Sequence, residues 1–335
     1  METTHRTQTV SQEAIIVPHV LVADPLHPSG LAVLAETSGV TFAAPGKMDR
    51  ATALAAIPEA DALIIRSGTH ADRELIAAGA RLRVICRAGV GVDNVDVGFA
   101  TARGVAVMNT PHGNAVAAAE LTFGLMLALA RHIPQASASV GAGRWDRRAF
   151  VGTELRHKTL GIIGLGRIGS AVARRAAAFD MRVIAHDPNL GDDDTRRALA
   201  ECVTLDELIA RSDYITLHAP LNDATRGLID AARIAAMKDG VRIINTARGA
   251  LVDEAALADA IRNGKVAGAA VDVYSAEPPA GNPLVGLPGV VHTPHLGAST
   301  VEAQEAVAVE AAQQVVDALL RGVYRNVVNP QALST

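Results

Sequence analysis

Three short stretches carry residues whose types and spacing suit proton and charge chemistry. NTARGALVDE holds Arg248, VDVYSAEPP holds Asp272 and Glu277, and HTPHLGAST holds His292 and His295. A guanidinium just past a strand end can grip a carboxylate through two parallel hydrogen bonds and polarise a carbonyl beside it. An imidazole, with an ordinary pKa of about 6.5, can take a hydroxyl proton in one direction of a redox reaction and return it in the other. A carboxylate next to it fixes the tautomer and favours the imidazolium. Glu277, on a loop after a strand, is the natural candidate for that carboxylate. His292 falls inside the strand-like run VVHTP, where a packed or surface imidazole is expected. His295 falls past its end, after Pro294, and is favoured as the acid/base. No third ligand clusters with the two histidines, so no metal is expected. His112, His132, His186 and His218 are read as structural.

A second signature lies upstream. Residues 159–187 read TLGIIGLGRIGSAVARRAAAFDMRVIAHD. Gly164, Gly166 and Gly169 make G-x-G-x-x-G, with a strand before, a helix after, and Asp187 closing the next strand. The glycines permit a tight turn and close backbone approach to a pyrophosphate, while the helix N-terminus offers N–H donors and positive dipole. Gly164, Gly166, Arg167, Ile168 and Gly169 are therefore assigned to a dinucleotide. Asp187 would accept hydrogen bonds from the adenine-ribose hydroxyls and repel a 2′-phosphate. Pro188 and Asn189 add no compensating cation, so NAD is expected rather than NADP.

The elements that must position these residues follow a repeating pattern. Apolar runs at 19–25, 40–44, 62–67, 83–89 and 105–111 end near Gly, Pro or Asp, with Ala- and Leu-rich segments between most of them. A long helical segment covers 115–132. A second series of runs follows at 159–164, 182–187, 214–220, 242–247, 267–273 and 290–294. Continuous apolar runs read as buried parallel strands. Their alternation with helices predicts α/β architecture with doubly wound parallel sheets, whose ligands bind beyond the strands' carboxyl ends. Asp253 is placed to cap the helix that ends before Gly264. Residues 301–321 read as one amphipathic helix returning to pack on the first α/β series.

Composition sets the outer limits. The 335 residues are 49% apolar and 20% charged, with a net charge of −4 and no basic block, which argues against nucleic acid as a partner. The amino-terminal METTHRTQTVSQEA is polar, without an apolar signal core, and reads as a loose tail. The apolar run at 121–130 is far below the roughly 20 residues that span a bilayer, so no membrane association is expected. Cys86 and Cys202 both neighbour apolar residues and read as reduced core thiols, which fits a cytoplasmic location.

Taken together, RAGVGVDNVD, NTPHGNAVAAAELTFGLMLALAR, GLGRIG, NTARGALVDE, VDVYSAEPP and HTPHLGAST resemble the D-isomer-specific 2-hydroxyacid dehydrogenase family, over residues 19–333. GRWDRRAFVGTEL and VVNPQAL bring the chain nearest to members that oxidise 3-phosphoglycerate with NAD, the entry to serine synthesis. The resemblance implies a Rossmann NAD-binding domain at 111–299, inserted into a flavodoxin-like substrate-binding domain made of 1–110 and 300–335. It implies Arg248, Glu277 and His295 as substrate arginine, orienting carboxylate and acid/base. Asp272 would contact the nicotinamide carboxamide. Ala219, Pro220, Thr246, His295, Gly297 and Ala298 would line the cofactor cleft. The backbone at Val90 and Gly91 would hold the substrate carboxylate, with Val90 also facing the cofactor. Arg66 and Ser67 would lie near the substrate's far end, and Arg147 would reach a phosphate across a homodimer or homotetramer interface. The helix at 115–132 would join the domains, and hinge closure would exclude water. His70 stands where relatives often carry lysine, which keeps reduction of glyoxylate, hydroxypyruvate or another 2-oxo acid open as an alternative. A non-catalytic dinucleotide sensor of the same fold is a second alternative. The sequence ends at Thr335, so feedback through an additional carboxyl-terminal regulatory domain is not expected.

Overall fold

Eleven of the apolar runs become strands, and all strand pairs are parallel. The computed structural model describes residues 17–191 and 194–334. The polar stretch at the amino terminus lies outside them. Strands β1 (His19–Val22), β2 (Thr41–Ala43), β3 (Ala62–Ile65), β4 (Val84–Arg87) and β5 (Ala106–Asn109) form one sheet in the order β2-β1-β3-β4-β5. This is the flavodoxin-like winding. Strands β6 (Thr159–Ile163), β7 (Arg182–His186), β8 (Glu201–Cys202), β9 (Tyr214–Leu217), β10 (Val241–Asn245), β11 (Val266–Val271) and β12 (Val290–His292) form a second sheet, ordered β12-β11-β10-β9-β6-β7-β8. Counted within this sheet, that is the dinucleotide-binding order, with the winding reversing beside β6.

The central strands bury both faces; the edge strands β2 and β8 do not. In β10, Ile243 joins a core layer with Leu217 and Val271, while the next residue, Ile244, joins the opposite layer with Ile162 and Ala270. Side chains of alternate residues point to opposite faces, so a continuous apolar run is what a sheet covered on both sides requires. Each fully buried Leu or Ile contributes about 1.5–3 kcal/mol.

Two features escaped the sequence reading. Strand β8 is only two residues long and exposed at the sheet edge, too short to leave a pattern. Cys202 lies in it and is exposed, which corrects its reading as a core thiol; Cys86, in β4, is buried. The helix Ala115–Arg131 ends at His132, in a left-handed conformation (φ 54°), and a further helix, Ile133–Gly141, begins there. Pro134 is tolerated because it sits in the first turn, where no N–H is needed. Among the described residues no single helix is long and apolar enough to cross a membrane; these two pass on length and composition only as a pair bent by 65°.

The helix Glu254–Arg262 follows its predicted punctuation. The Asp253 carboxylate accepts hydrogen bonds from the Ala255 and Ala256 N–H groups. Gly264 follows the helix with φ +81°.

The chain divides into two compact units. The first comprises Met1–Ala88, Asn94–Asn109 and Ala308–Thr335; the second comprises Gly89–Asp93 and Thr110–Val307. The boundaries differ from the expected ones in three places, one of them by the single residue Thr110. The loop Gly89–Asp93 belongs with the second unit, where Asp93 pairs with Arg248. The later boundary falls at Val307, inside the helix Val301–Arg321.

In the first unit, the carboxylate of Asp24, just after β1, is almost fully buried. It accepts hydrogen bonds from the Arg66 N–H (2.6 Å), the Thr69 N–H (3.1 Å) and the Thr69 hydroxyl (3.1 Å). The Asn94 amide closes the same loop by donating to the Arg66 and Thr69 carbonyls. At the other end of the sheet, buried Asn329 accepts from the Val107 N–H (2.7 Å) and donates to Thr101 and to the Val105 carbonyl.

Candidate active site

In the second unit the loops after β10, β11 and β12 carry Arg248, Glu277 and His295. The His295 Nδ1 lies 2.7 Å from Glu277 Oε2, and both side chains are about two-fifths exposed. The two are brought together from different loops, as their types suggested. Glu277 is also fixed by the Tyr274 N–H, which donates to Oε1. Burial pushes the Glu277 carboxyl up. The His295 hydrogen bond and charge, the Tyr274 N–H and the Arg248 charge outweigh it, so its pKa lies below the ordinary carboxylate value. Glu277 is therefore ionised at neutral pH, and as an acceptor it selects the tautomer with the proton on Nδ1. Nε2 is left free to exchange a proton.

His295 has a left-handed backbone (φ 57°), unusual for a residue with a side chain. Asp272 stabilises that turn. Its carbonyl accepts the His295 N–H (2.8 Å); Oδ1 accepts from Leu296 N–H (2.7 Å) and the Thr293 hydroxyl (2.6 Å), and Oδ2 from Gly297 N–H (2.9 Å). Asp272 itself is fully buried. In this structure its carboxylate holds the His295–Gly297 turn, with Ala298 following. His292 sits in β12 with Nε2 accepting the Gly286 N–H, away from this pairing. Burial lowers its pKa.

Arg248 follows Thr246 and Ala247 at the end of β10. Its Nε donates to Asp93 Oδ2 (2.7 Å) and Nη1 to the Ala247 carbonyl (2.6 Å). Gly91 lies against Nη2 of the same guanidinium, and Val90 precedes it. Asp93 is a residue the sequence reading did not single out; its only signal was its place in RAGVGVDNVD. Buried Thr246 shares a 2.9 Å hydroxyl–hydroxyl hydrogen bond with Thr122, another pairing invisible in the sequence. His218 precedes Ala219 and Pro220 after β9, and burial holds its pKa down at about 3.

The glycine motif sorts into three distinct roles. Gly164 has φ +92°, and a Cβ there would stand 2.8 Å from the His218 backbone. A Cβ on Gly169 would meet the Gly164 carbonyl oxygen at 2.0 Å, so it is the close-packing glycine. Around Gly166, at the start of the helix Arg167–Ala178, there is nothing within 4 Å. That open space before a helix N-terminus, with Arg167 exposed and Ile168 half-buried behind it, fits a bound pyrophosphate. Asp187 accepts from the Leu165 and Asn189 N–H groups and borders a cavity of about 480 Å³. The cavity fits the remainder of a nucleotide. Here the sequence reading of neighbours needs amending: Arg197 also lines the cavity, and Arg196 is near enough to feel the Asp187 charge. Arg196 is bound to the Asp194 carboxylate and donates to the Leu165 carbonyl. These cations are several residues beyond Pro188 and Asn189 and reach the site through the turn Thr195–Leu199.

Arg66 and Ser67 belong to the first unit, where the Arg66 guanidinium donates to the Pro25 carbonyl and Ser67 is exposed. Arg147 opens the exposed turn Arg147–Phe150. Among the described residues, no group of three or more His, Cys, Asp or Glu side chains could hold a metal ion.

The second unit thus carries an open glycine turn at a helix N-terminus after β6, an arginine after β10 and a carboxylate-paired histidine after β12. Residues 123–297 match the model of the D-isomer specific 2-hydroxyacid dehydrogenase NAD-binding domain. A solved protein from Thermus thermophilus superposes with a TM-score of 0.84 at 37% identity, covering 92% of this chain and 99% of that one. A glyoxylate reductase from Paecilomyes thermophila superposes with a TM-score of 0.87 at 34% identity, covering 94% and 99%. D-3-phosphoglycerate dehydrogenase of Methanocaldococcus jannaschii is 47% identical over 311 residues, 92% of this chain and 59% of its own length. The chain belongs to the D-isomer specific 2-hydroxyacid dehydrogenase family and contains its NAD-binding domain. It spans a little under three-fifths of the length of that curated relative.

Proposed function

We propose that this protein catalyses NAD-dependent interconversion of a D-2-hydroxy acid and its 2-oxo acid, with 3-phosphoglycerate and 3-phosphohydroxypyruvate as the physiological pair. The observation that carries the chemistry is the His295–Glu277 pair at 2.7 Å beside Arg248. The choice of substrate rests on the 47% identity to a D-3-phosphoglycerate dehydrogenase.

Bound NAD supplies the hydride acceptor. The protein's part is positional and protonic. Arg248 and the N–H groups at Val90 and Gly91 hold the carboxylate and polarise the adjacent oxygen. In oxidation, Nε2 of His295 takes the hydroxyl proton as the carbon–hydrogen bond yields its electron pair. In reduction the same nitrogen returns the proton to the new alkoxide. Glu277 stabilises the imidazolium form that exists between these events. The second unit serves as nucleotide domain and the first as substrate domain. Arg66, Ser67 and Arg147 are assigned to the substrate's distal group, and the working form is a cytoplasmic homodimer or homotetramer.

A second reading, reduction of glyoxylate or hydroxypyruvate, is favoured by the 34% identity to a glyoxylate reductase and by His70, which offers no fixed positive charge. Consumption of NADH by the purified protein separates the two. A strong preference for 3-phosphohydroxypyruvate over hydroxypyruvate, glyoxylate and pyruvate is expected. Preference for an unphosphorylated acid would move the assignment to the second reading, and no turnover of any of them would remove the enzymatic one.

A further inference from the structure

We propose that Asp93 is the positioning residue for Arg248 and that Gly91 provides the seat that lets the pair form. The inference rests on reading Arg248 as the substrate arginine.

A guanidinium has five N–H donors in a fixed fork. Two are committed within the protein. Nε donates to Asp93 Oδ2, across 155 residues of sequence, and Nη1 donates to the Ala247 carbonyl. The loop carrying Arg248 is itself anchored by Asn245, whose Nδ2 donates to the Arg248 carbonyl and whose Oδ1 accepts the Ala247 N–H. The three remaining donors lie on Nη1 and Nη2, the end of the fork that grips a carboxylate in parallel. Asp93 therefore fixes which edge of Arg248 is offered to an anion.

Gly91 supplies independent support. A Cβ at that position would stand 1.5 Å from Nη2 and 2.7 Å from Asp93 Oδ2. Its φ lies outside the left-handed region, so a side chain there would leave the backbone unstrained and instead displace the Arg248 guanidinium and the Asp93 carboxylate. The plain alternative is an ordinary surface ion pair, because Asp93 is 47% exposed and Arg248 28% exposed. Such a pair contributes little to stability. The two readings thus differ in what Asp93 affects: turnover for a positioning residue, nothing measurable for a surface pair.

The test compares Asp93→Ala, Asp93→Asn and Arg248→Lys, using 3-phosphohydroxypyruvate and NADH. Asp93→Ala should lower kcat between about tenfold and a hundredfold, the scale of a misplaced reactive group. KM should stay level or fall, because Arg248 then meets the anion with its full charge. NADH affinity and thermal midpoint should not change. Asp93→Asn keeps an acceptor for Nε and should recover most of kcat. Unchanged kcat in Asp93→Ala alongside a collapse in Arg248→Lys overturns this inference alone. Equal losses in both Asp93 variants with a lowered thermal midpoint overturn it in favour of a structural role. Full activity in Arg248→Lys removes the substrate-arginine reading, and this inference falls with it.

Discussion

Asp24 follows β1 in the first unit, and Glu277 follows β11 in the second. Both are carboxylates on the carboxyl side of a parallel sheet. Asp24 is 4% exposed and its charge is absorbed by two backbone N–H groups and a hydroxyl of its own unit. Glu277 is 39% exposed and faces a titratable imidazole. The strand-end position is where such a fold can place ligand chemistry, but position alone does not make a group reactive. A carboxylate saturated by backbone donors organises a loop. One that keeps an ionisable partner can tune a proton transfer. Asp272 shows that the same unit uses both kinds, since its side chain is buried and fully engaged in holding the turn that presents His295.

The sharpest way to break this contrast is to exchange the reactive group. His295→Asn should lower kcat by about 10² to 10⁴, the usual worth of a positioned acid/base, while leaving NADH binding, measured by fluorescence titration, nearly intact. Loss of NADH affinity in step with kcat would place His295 among the scaffold residues. Asp24→Ala should do the reverse. It strands buried donors at about 1–3 kcal/mol each, so the thermal midpoint should drop by several degrees while NADH affinity persists. Retained stability would mean that Asp24 is not the organiser described.

Glu277→Gln probes the pairing itself. Its depressed pKa means that the carboxylate's contribution is present above the ordinary carboxylate value and is lost as pH falls through the lowered one. Across neutral pH Glu277 is therefore ionised. Removing its charge should shift the pH–rate profile, and an unchanged profile would deny the coupling. Asp187→Ala should reduce the preference for NADH over NADPH by about tenfold, near the lower bound for one hydrogen bond to a charged group. A preference that survives intact points to Arg196 being unable to leave Asp194. The smallest effect concerns the thiols: Cys202 should react with a thiol reagent in the native protein and be shielded by NADH. Cys86, whose thiol is pushed far up by burial, should react only after unfolding. Equal reactivity would contradict the burial of β4.

What could be read from the sequence was what short range encodes. Apolar runs gave eleven strands because the central ones are buried on both faces, the edge strand β2 being the exception, and the glycine motif stood out because its three positions do different steric jobs within one turn. His295 could be told from His292 by which side of a strand end it lay on. The rest depended on partners brought from afar. Asp93 reaches Arg248 across 155 residues, and Thr122 reaches Thr246 across 124. Nothing local distinguishes those residues from solvated ones. The cations near Asp187 are hidden for a related reason: they are not its sequence neighbours, and the chain folds Arg196 and Arg197 back by way of a helical turn. The exposure of Cys202 was hidden because an edge strand and a central strand share apolar neighbours in sequence.

Asn329 carries a consequence for how the molecule is made. It fills the hydrogen bonds of Val107 and Val105 from 222 and 224 residues further along the chain. A ribosome adding about 5–20 residues per second delivers it on the order of tens of seconds after the strand it completes. By the time Asn329 is added, the second unit, whose strands all lie between Thr159 and His292, has its whole sheet in hand. The part translated earliest should therefore mature last, and protease protection of nascent chains should appear first in the later-made unit.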